Sequence, residues 1–240
     1  MWDETYLLSE LPSEAETEEE VEFIFEVLEL KRGSTVLDLC CGQGRHGGQL
    51  ANSGVNVIGV DRSRFLLKEA RNNIACDTRG MHLIEGDMRH IPLKPVCDAV
   101  VNLFTSFGFF EEVGNKKVFS EIASVLKPGG KFLVDYWNPY AVLQLDRTRN
   151  WWWISESTLA LAEVEYQPES GRLFDRRTII EIPTNTIRNM VNQIRFYFPT
   201  ELKGLLEEVG LRVYAMYGDF DRSGFSMEAR RMITVAEKFR

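Results

Sequence analysis

Cysteine and histidine are scarce: Cys40, Cys41, Cys76 and Cys97 are the four cysteines, and there are three histidines in 240 residues. The cysteines include an adjacent pair but no C-x-x-C spacing, which argues against a disulfide framework and a zinc site, so no metal is expected. Long hydrophobic runs are also missing. Nothing approaches the roughly 20 apolar residues needed to span a bilayer, which excludes a membrane role. Residues 2–20, WDETYLLSELPSEAETEEE, are acidic and lack the basic start of a signal peptide. The expected location is therefore cytoplasmic. Positive charge is in deficit, with 28 Lys and Arg against 36 Asp and Glu, a net charge of −8. That balance opposes the phosphate neutralisation behind most nucleic-acid binding, although Arg172, Arg176 and Arg177 offer a local basic patch.

What is present is a 44% hydrophobic composition, enough for one domain with a sizeable insertion. Its most informative stretch is 38–48, DLCCGQGRHGG, which follows the apolar run 36–39. It describes a strand that ends in a tight turn and opens a helix. Gly42 and Gly44 permit positive φ and close approach of a ligand. The helix beyond them offers unpaired N–H groups and the positive end of its dipole.

Gly42, Gly44 and Gly47 also satisfy the dinucleotide fingerprint G-x-G-x-x-G, and Asp61 ends the next apolar run, where a ribose-binding acid belongs. Asp38 decides against a dinucleotide, because a carboxylate at the first strand tip repels a pyrophosphate in the adjacent loop and attracts a cation. S-adenosylmethionine carries an ammonium and a sulfonium near that point, and a ribose diol suited to Asp61. Asp87 and Met88, in LIEGDMR, follow a third short strand, where they suit an adenine. Asn102 ends a fourth, CDAVVNLF. Polar residues thus fall at the C-terminal ends of four successive strands, where open α/β sheets bind ligands.

With VLDLCCGQGRHG, VIGVDRS, EGDMRHIP, DAVVNLFTSFGFF and VLKPGGKFLVDYW in this order, the chain resembles the class I S-adenosylmethionine-dependent methyltransferases. GQGRH, NLFTSFG and the late YGDFD look most like bacterial and archaeal small-molecule methyltransferases related to sugar-amine N-methyltransferases and, more remotely, to glycine N-methyltransferase. The resemblance implies S-adenosylmethionine as cofactor, S-adenosylhomocysteine as product, and a small-molecule acceptor, with N-methylation favoured over O-methylation. An RNA or protein methyltransferase and a non-catalytic S-adenosylmethionine-binding subunit or sensor are the rivals. Cys40 departs from the family pattern, standing where many members carry glycine.

The organisation along the chain fits. Ser13 and Glu16 have capping-box spacing, and Val21, Ile24, Phe25 and Leu28 recur at helical intervals, predicting a helix over 13–30 with Gly33 near its stop. From 35 to 136 strands and helices alternate, the last helix lying around 116–126 and followed by the turn KPGG and the strand KFLVDY. This predicts a Rossmann-like α/β fold, a seven-stranded mostly parallel sheet with helices on both faces. Three extended runs, 154–166, 171–182 and 186–198, then predict an antiparallel β insertion. A helix at 200–209 and strands at 211–217 and 230–237 follow. The expected division is 1–138, with the N-terminal helix and the cofactor part; 139–198, a substrate cap or dimer contact; and 199–240, completing the main domain.

Cofactor-binding candidates are Tyr6, on a segment that folds over the cofactor in similar enzymes, with Asp38, Cys40, Gly42, Gly44, Arg45, Asp61, Arg62, Asp87, Met88 and Asn102. Arg45 is placed to reach the methionyl carboxylate; His46 beside it reads equally as a packing residue. Phe104, Phe107, Tyr136 and Asn138 are the acceptor-binding candidates. Phe109 and Phe110 share the run of aromatics after the fourth strand, which puts one or two at the pocket. Asp135 and Tyr136 are the candidates for deprotonating the acceptor. The D/N/S-P-P-Y/F motif that holds planar amines is absent, replaced by NLFT. Methyl transfer needs alignment and exclusion of water more than a catalytic triad. In a strand Trp151 and Trp153 share one face and Trp152 the other. Packing on the main domain or a subunit contact, giving a homodimer, is their expected use; an aromatic wall for the acceptor is the alternative.

Overall fold

A computed structural model describes residues 12–73, 80–144 and 148–239. Tyr6 and Cys76 lie outside the described residues. Helix α1 (Glu14–Val27) starts at the predicted capping box, with Glu16 N–H donating to the Ser13 hydroxyl at 3.2 Å and Ser13 N–H to the Glu16 carboxylate at 2.7 Å. Then come β1 (Thr35–Leu39), α2 (Arg45–Asn52), β2 (Asn56–Asp61), α3 (Arg64–Asn73), β3 (Met81–Glu85), β4 (Cys97–Asn102), α4 (Glu112–Val125) and β5 (Leu126–Trp137). The KPGG segment is part of β5: pairing with β4 jumps from Cys97–Leu126 to Ala99–Lys131, so the segment bulges out of the ladder.

After the short α5 (Pro139–Leu143) the chain leaves the main sheet for β6 (Thr148–Ser155), β7 (Thr158–Gln167), β8 (Arg172–Glu181) and β9 (Thr186–Arg195). It returns through α6 (Pro199–Glu208) and the hairpin β10 (Leu211–Tyr217) and β11 (Arg231–Lys238). The main sheet has the order β10-β11-β5-β4-β1-β2-β3, with β11 antiparallel to both its neighbours. This is the expected architecture. Chain direction across the sheet switches between β1 and β4, leaving a crevice at their C-terminal ends.

Both faces of this sheet are covered, which is why its strands read as apolar runs. Leu37, Leu39, Val100, Phe132 and Tyr136 face α4 and α6, while Val36, Val57, Val101 and Leu133 face α1 and Leu50 of α2.

The inserted meander has four strands in the order β6-β7-β8-β9, where the sequence predicted three. The first was hidden because β6 and β7 are joined by Glu156 and Ser157, a turn without glycine or proline. The sheet is tied to the loop after β4. Arg195 N–H donates to the Gly108 carbonyl at 2.8 Å, and the Tyr136 hydroxyl donates to the Arg195 carbonyl. Asn115 Nδ2 donates to the Tyr197 hydroxyl at 3.0 Å and the Phe110 carbonyl at 3.0 Å, locking α4 to the same junction. Trp151 and Trp153, expected to pack on the main domain or a second subunit, are 62% and 51% exposed on one face of β6. Trp152, on the other, has Arg177 5.9 Å from its ring.

Candidate active site

The ends of β1 to β4 and the strand β9 enclose a cleft of about 330 Å³. Its floor is Leu39, Cys40, Gly42, Val60, Asp61, Arg62, Leu66, Gly86, Asp87 and Met88; its opposite wall is Phe104, Ser106, Phe109 and Phe110, with Val191 and Gln193 from β9.

The floor follows from three strand-to-loop transitions. After β1 the chain takes left-handed conformations at Cys40, φ 66°, and at Gly44, φ 78°, which caps α2. In α2, a Cβ on Gly47 would lie 2.5 Å from Met81 Cε and 3.1 Å from Asp38 Oδ2, so glycine lets the helix approach β1 and β3. Asp38 is 3% exposed and its Oδ2 is buried without a hydrogen-bond partner. Burial, and then the charge of Asp61, push its carboxyl up to about 7, against the charge of Arg45 and the N–H of Gly47.

Asp61 pins the loop to β2: its carboxylate accepts from Gly42 N–H at 2.9 Å and Ser63 N–H at 2.8 Å. Burial raises its pKa and those N–H groups oppose the rise. Asp87 accepts from the Arg89 guanidinium at 2.6 and 3.0 Å, which holds its carboxyl at about 2, and Arg89 in turn covers Phe110 at 4.1 Å from the ring centroid. The Cys40 thiol is 3.8 Å from Met88 Sδ; burial, with Asp61 and Asp38 nearby, raises its pKa and keeps it protonated.

Several sequence candidates stand elsewhere. Arg45 donates to Glu20 at 2.8 Å and Thr17 at 2.6 Å, and covers Phe104 at 4.5 Å, outside the lining of the cleft. His46 Nε2 is 2.7 Å from the same Glu20, and burial lowers its pKa. Asn102 Nδ2 donates to the Leu39 carbonyl at 2.9 Å, tying β4 to β1 behind the cleft. Phe107 is buried against Phe119 and Tyr197. Asn138 caps α5 and donates to the carbonyls of Ser226 and Ala229, fully buried.

Asp135 and Tyr136 are likewise sealed. Asp135 is 0% exposed, accepts from Arg231 at 2.8 Å and from Phe104 N–H at 2.9 Å, and Arg231 lies 4.9 Å from the Phe104 ring. Tyr136 is spent on the insertion junction, and burial raises its pKa further. A carboxylate salt-bridged in the core and a phenol facing a main-chain carbonyl are not placed to take a proton from a ligand. Sequence reasoning missed Ser106, Val191 and Gln193. Val191 and Gln193 alternate on one face of a strand, but only the fold brings that face to the cleft.

An orphaned buried carboxylate oxygen beside a glycine loop, a second carboxylate one strand on with capacity for a diol, and a thioether beyond fit S-adenosylmethionine. The sequence matches the family model described as a methyltransferase domain over residues 36–130, which spans all of these floor residues. The chain carries a methyltransferase domain. It is 27% identical over 231 residues to the glycine/sarcosine N-methyltransferase of Aphanothece halophytica, covering 93% of this chain and 83% of that protein. The chain spans 40% and 39% of the length of two further curated relatives that it matches. Its fold matches the CcbJ methyltransferase of Streptomyces caelestis with a TM-score of 0.80 at 22% identity, covering 96% of this chain and 100% of that one. It also matches S-adenosylmethionine-bound CalS10, an amino pentose methyltransferase from Micromonospora echinaspora, with a TM-score of 0.71 at 19% identity, covering 98% and 94%.

Proposed function

We propose that the enzyme methylates the amine nitrogen of a small molecule held between the cleft floor and the wall formed by loop 103–110 and β9. The observation that carries this reading is Asp38 Oδ2, buried beside Gly47 without a hydrogen-bond partner, next in sequence to the cleft-lining Leu39 and Cys40. In this reading Asp38 meets the ammonium of the cofactor, Asp61 the ribose diol, and Gly86, Asp87 and Met88 flank the adenine. The similarity to a glycine/sarcosine N-methyltransferase supports nitrogen as the atom methylated.

S-adenosylmethionine supplies the activated methyl carbon when bound. The chain's own residues align the acceptor and exclude water. The wall would hold the amine with its lone pair turned towards the methyl group that S-adenosylmethionine would supply, and the ammonium formed would give up its proton to solvent. Asp87, held as a carboxylate by Arg89, is a weak base, and in this reading the acceptor binds as the free amine.

Calorimetry with S-adenosylmethionine, S-adenosylhomocysteine and NAD tests the cofactor assignment: heat from the first two and none from NAD is expected, and silence toward both sulfur compounds refutes it. A panel of amines and alcohols with the same preparation then tests nitrogen against oxygen. We further propose a homodimer through the insertion, supported by exposed Trp151, Trp153 and Ile187 on one sheet face; sedimentation as a monomer at micromolar concentration refutes it. A cytoplasmic setting is supported by the free thiols of Cys40, Cys41 and Cys97.

A further inference from the structure

The late run YGDFD, 217–221, contributes nothing to the lining of the cleft, yet one arginine connects it to the wall. Tyr217 and Phe220 meet Phe23 of α1 edge to face, with ring centroids 5.1 and 5.4 Å away. Gly218 passes through a gap in which a Cβ would lie 2.9 Å from Ala229 Cβ, and its carbonyl accepts from Arg231 N–H at 2.9 Å. These contacts leave the Asp219 carboxylate 3.5 Å from Arg231 Nε. The Arg231 guanidinium is thereby buried among two acids and two rings: Asp219, Asp135 at 2.8 Å, Phe220 at 5.2 Å and Phe104 at 4.9 Å.

Phe104 lines the cleft, and its backbone is strained. Phe104 and Thr105 are both left-handed, at φ 55° and 53°, a conformation that residues other than glycine keep only where their surroundings impose it. The end of β5 imposes it here. Asp135 accepts from Phe104 N–H through its carboxylate at 2.9 Å and from Thr105 N–H through its carbonyl at 3.0 Å, and the Thr105 hydroxyl accepts from Trp137 N–H at 3.1 Å. Burial favours the protonated form of Asp135, and Arg231 opposes this. The same cation therefore keeps the acceptor for Phe104 N–H charged and stands beside the Phe104 ring. A second guanidinium, Arg45, lies 4.5 Å from that ring and is fixed by Glu20 and Thr17 of α1. Resting on the methyltransferase reading of the cleft, we infer that Asp219 and Arg231 are positioning residues: through Asp135 they set the Phe104 ring in the cleft wall, and so act on ligands that neither of them touches.

S-adenosylhomocysteine is the probe, its affinity read by calorimetry on the full-length enzyme. Asp219 is partly exposed, so its replacement spares the fold. Asp219→Asn is expected to weaken binding about fivefold and Phe104→Leu about tenfold, while the double variant binds no more weakly than Phe104→Leu alone, because the acid then has no ring to place. Asp219→Glu, which returns the charge, is expected to recover most of the loss. Arg231→Lys keeps a cation beside Asp135 without the second arm or the planar face, and is expected to match Asp219→Asn at about fivefold. Unchanged affinity in Asp219→Asn overturns the inference. So does a loss of the same size when Asp219→Asn is added to Phe104→Leu, since the acid would then act by a route that bypasses the ring. Absence of heat from the unaltered enzyme overturns instead the cofactor reading beneath it.

Discussion

The two sheets put their polar residues to opposite uses. In the main sheet, strands buried on both faces carry acids at their C-terminal tips and almost nowhere else, so charge is concentrated where the crevice opens. In the inserted sheet, charges are spread along the strands and cancel locally: Arg149 with Glu163, Arg176 with Glu165 and Arg177 with Asp175. Ala160, Leu173 and Ile179 are buried on one face, while Trp151, Trp153, Leu161, Ile187 and Val191 are left exposed on the other. A doubly covered sheet thus fixes the position of reactive charge, whereas a half-covered one offers a neutral surface that can be changed without loss of the fold.

The largest effect that separates the two is expected in the core. Arg231→Ala leaves Asp135 buried without its partner and should destabilise the enzyme by about 3–5 kcal/mol in urea unfolding; a loss below about 1 kcal/mol would mean that the pair is not the sealed contact described. Next comes the strand-tip chemistry. Asp61→Ala should weaken S-adenosylmethionine binding by about 1–3 kcal/mol, read by calorimetry, because it removes both a charged acceptor and the pin on Gly42.

A pH titration sharpens the contrast further. Asp38 binds its proton up to about 7 in the free enzyme but releases it near 3.8 when exposed. The folded state therefore holds the extra proton between those values, and its stability should fall as pH rises through that window and level off above 7. A cationic ligand favours the carboxylate, so S-adenosylmethionine affinity should move the other way, tightening by about tenfold from pH 6 to pH 8. Asp38→Asn should flatten that dependence; an unchanged slope would assign it to another group. The smallest effect is expected in the insertion. Trp153→Ser should change the unfolding free energy of the monomer by no more than about 0.5 kcal/mol while shifting the proposed homodimer towards monomer in sedimentation.

What could be read from sequence follows the same division. Gly42, Asp61 and Asp87 were legible as residues of the cleft because each sits within a few residues of the strand that places it, and the sheet order follows from alternation. The partners of Asp135 and Tyr136 were not: Arg231 and the Arg195 carbonyl are distant in the chain, and only β11 pairing with β5 and the return of β9 bring them together. The pairing of Arg45 with Glu20 was hidden for the same reason, since the acids of the amphipathic helix α1 read as helix stabilisers. The strand β6 escaped because its turn carries no glycine or proline signal.

The junction at Gly108 has a consequence for how such an enzyme diversifies. The edge strand is fastened there through main-chain groups, with room so limited that a Cβ on Gly108 would lie 2.5 Å from the Arg195 carbonyl oxygen. Fastening of this kind is indifferent to the side chains the strand carries. Mutation can therefore redraft Val191, Gln193 and their neighbours, and with them the choice of acceptor, while the grip that presents them and the chemistry below remain inherited intact.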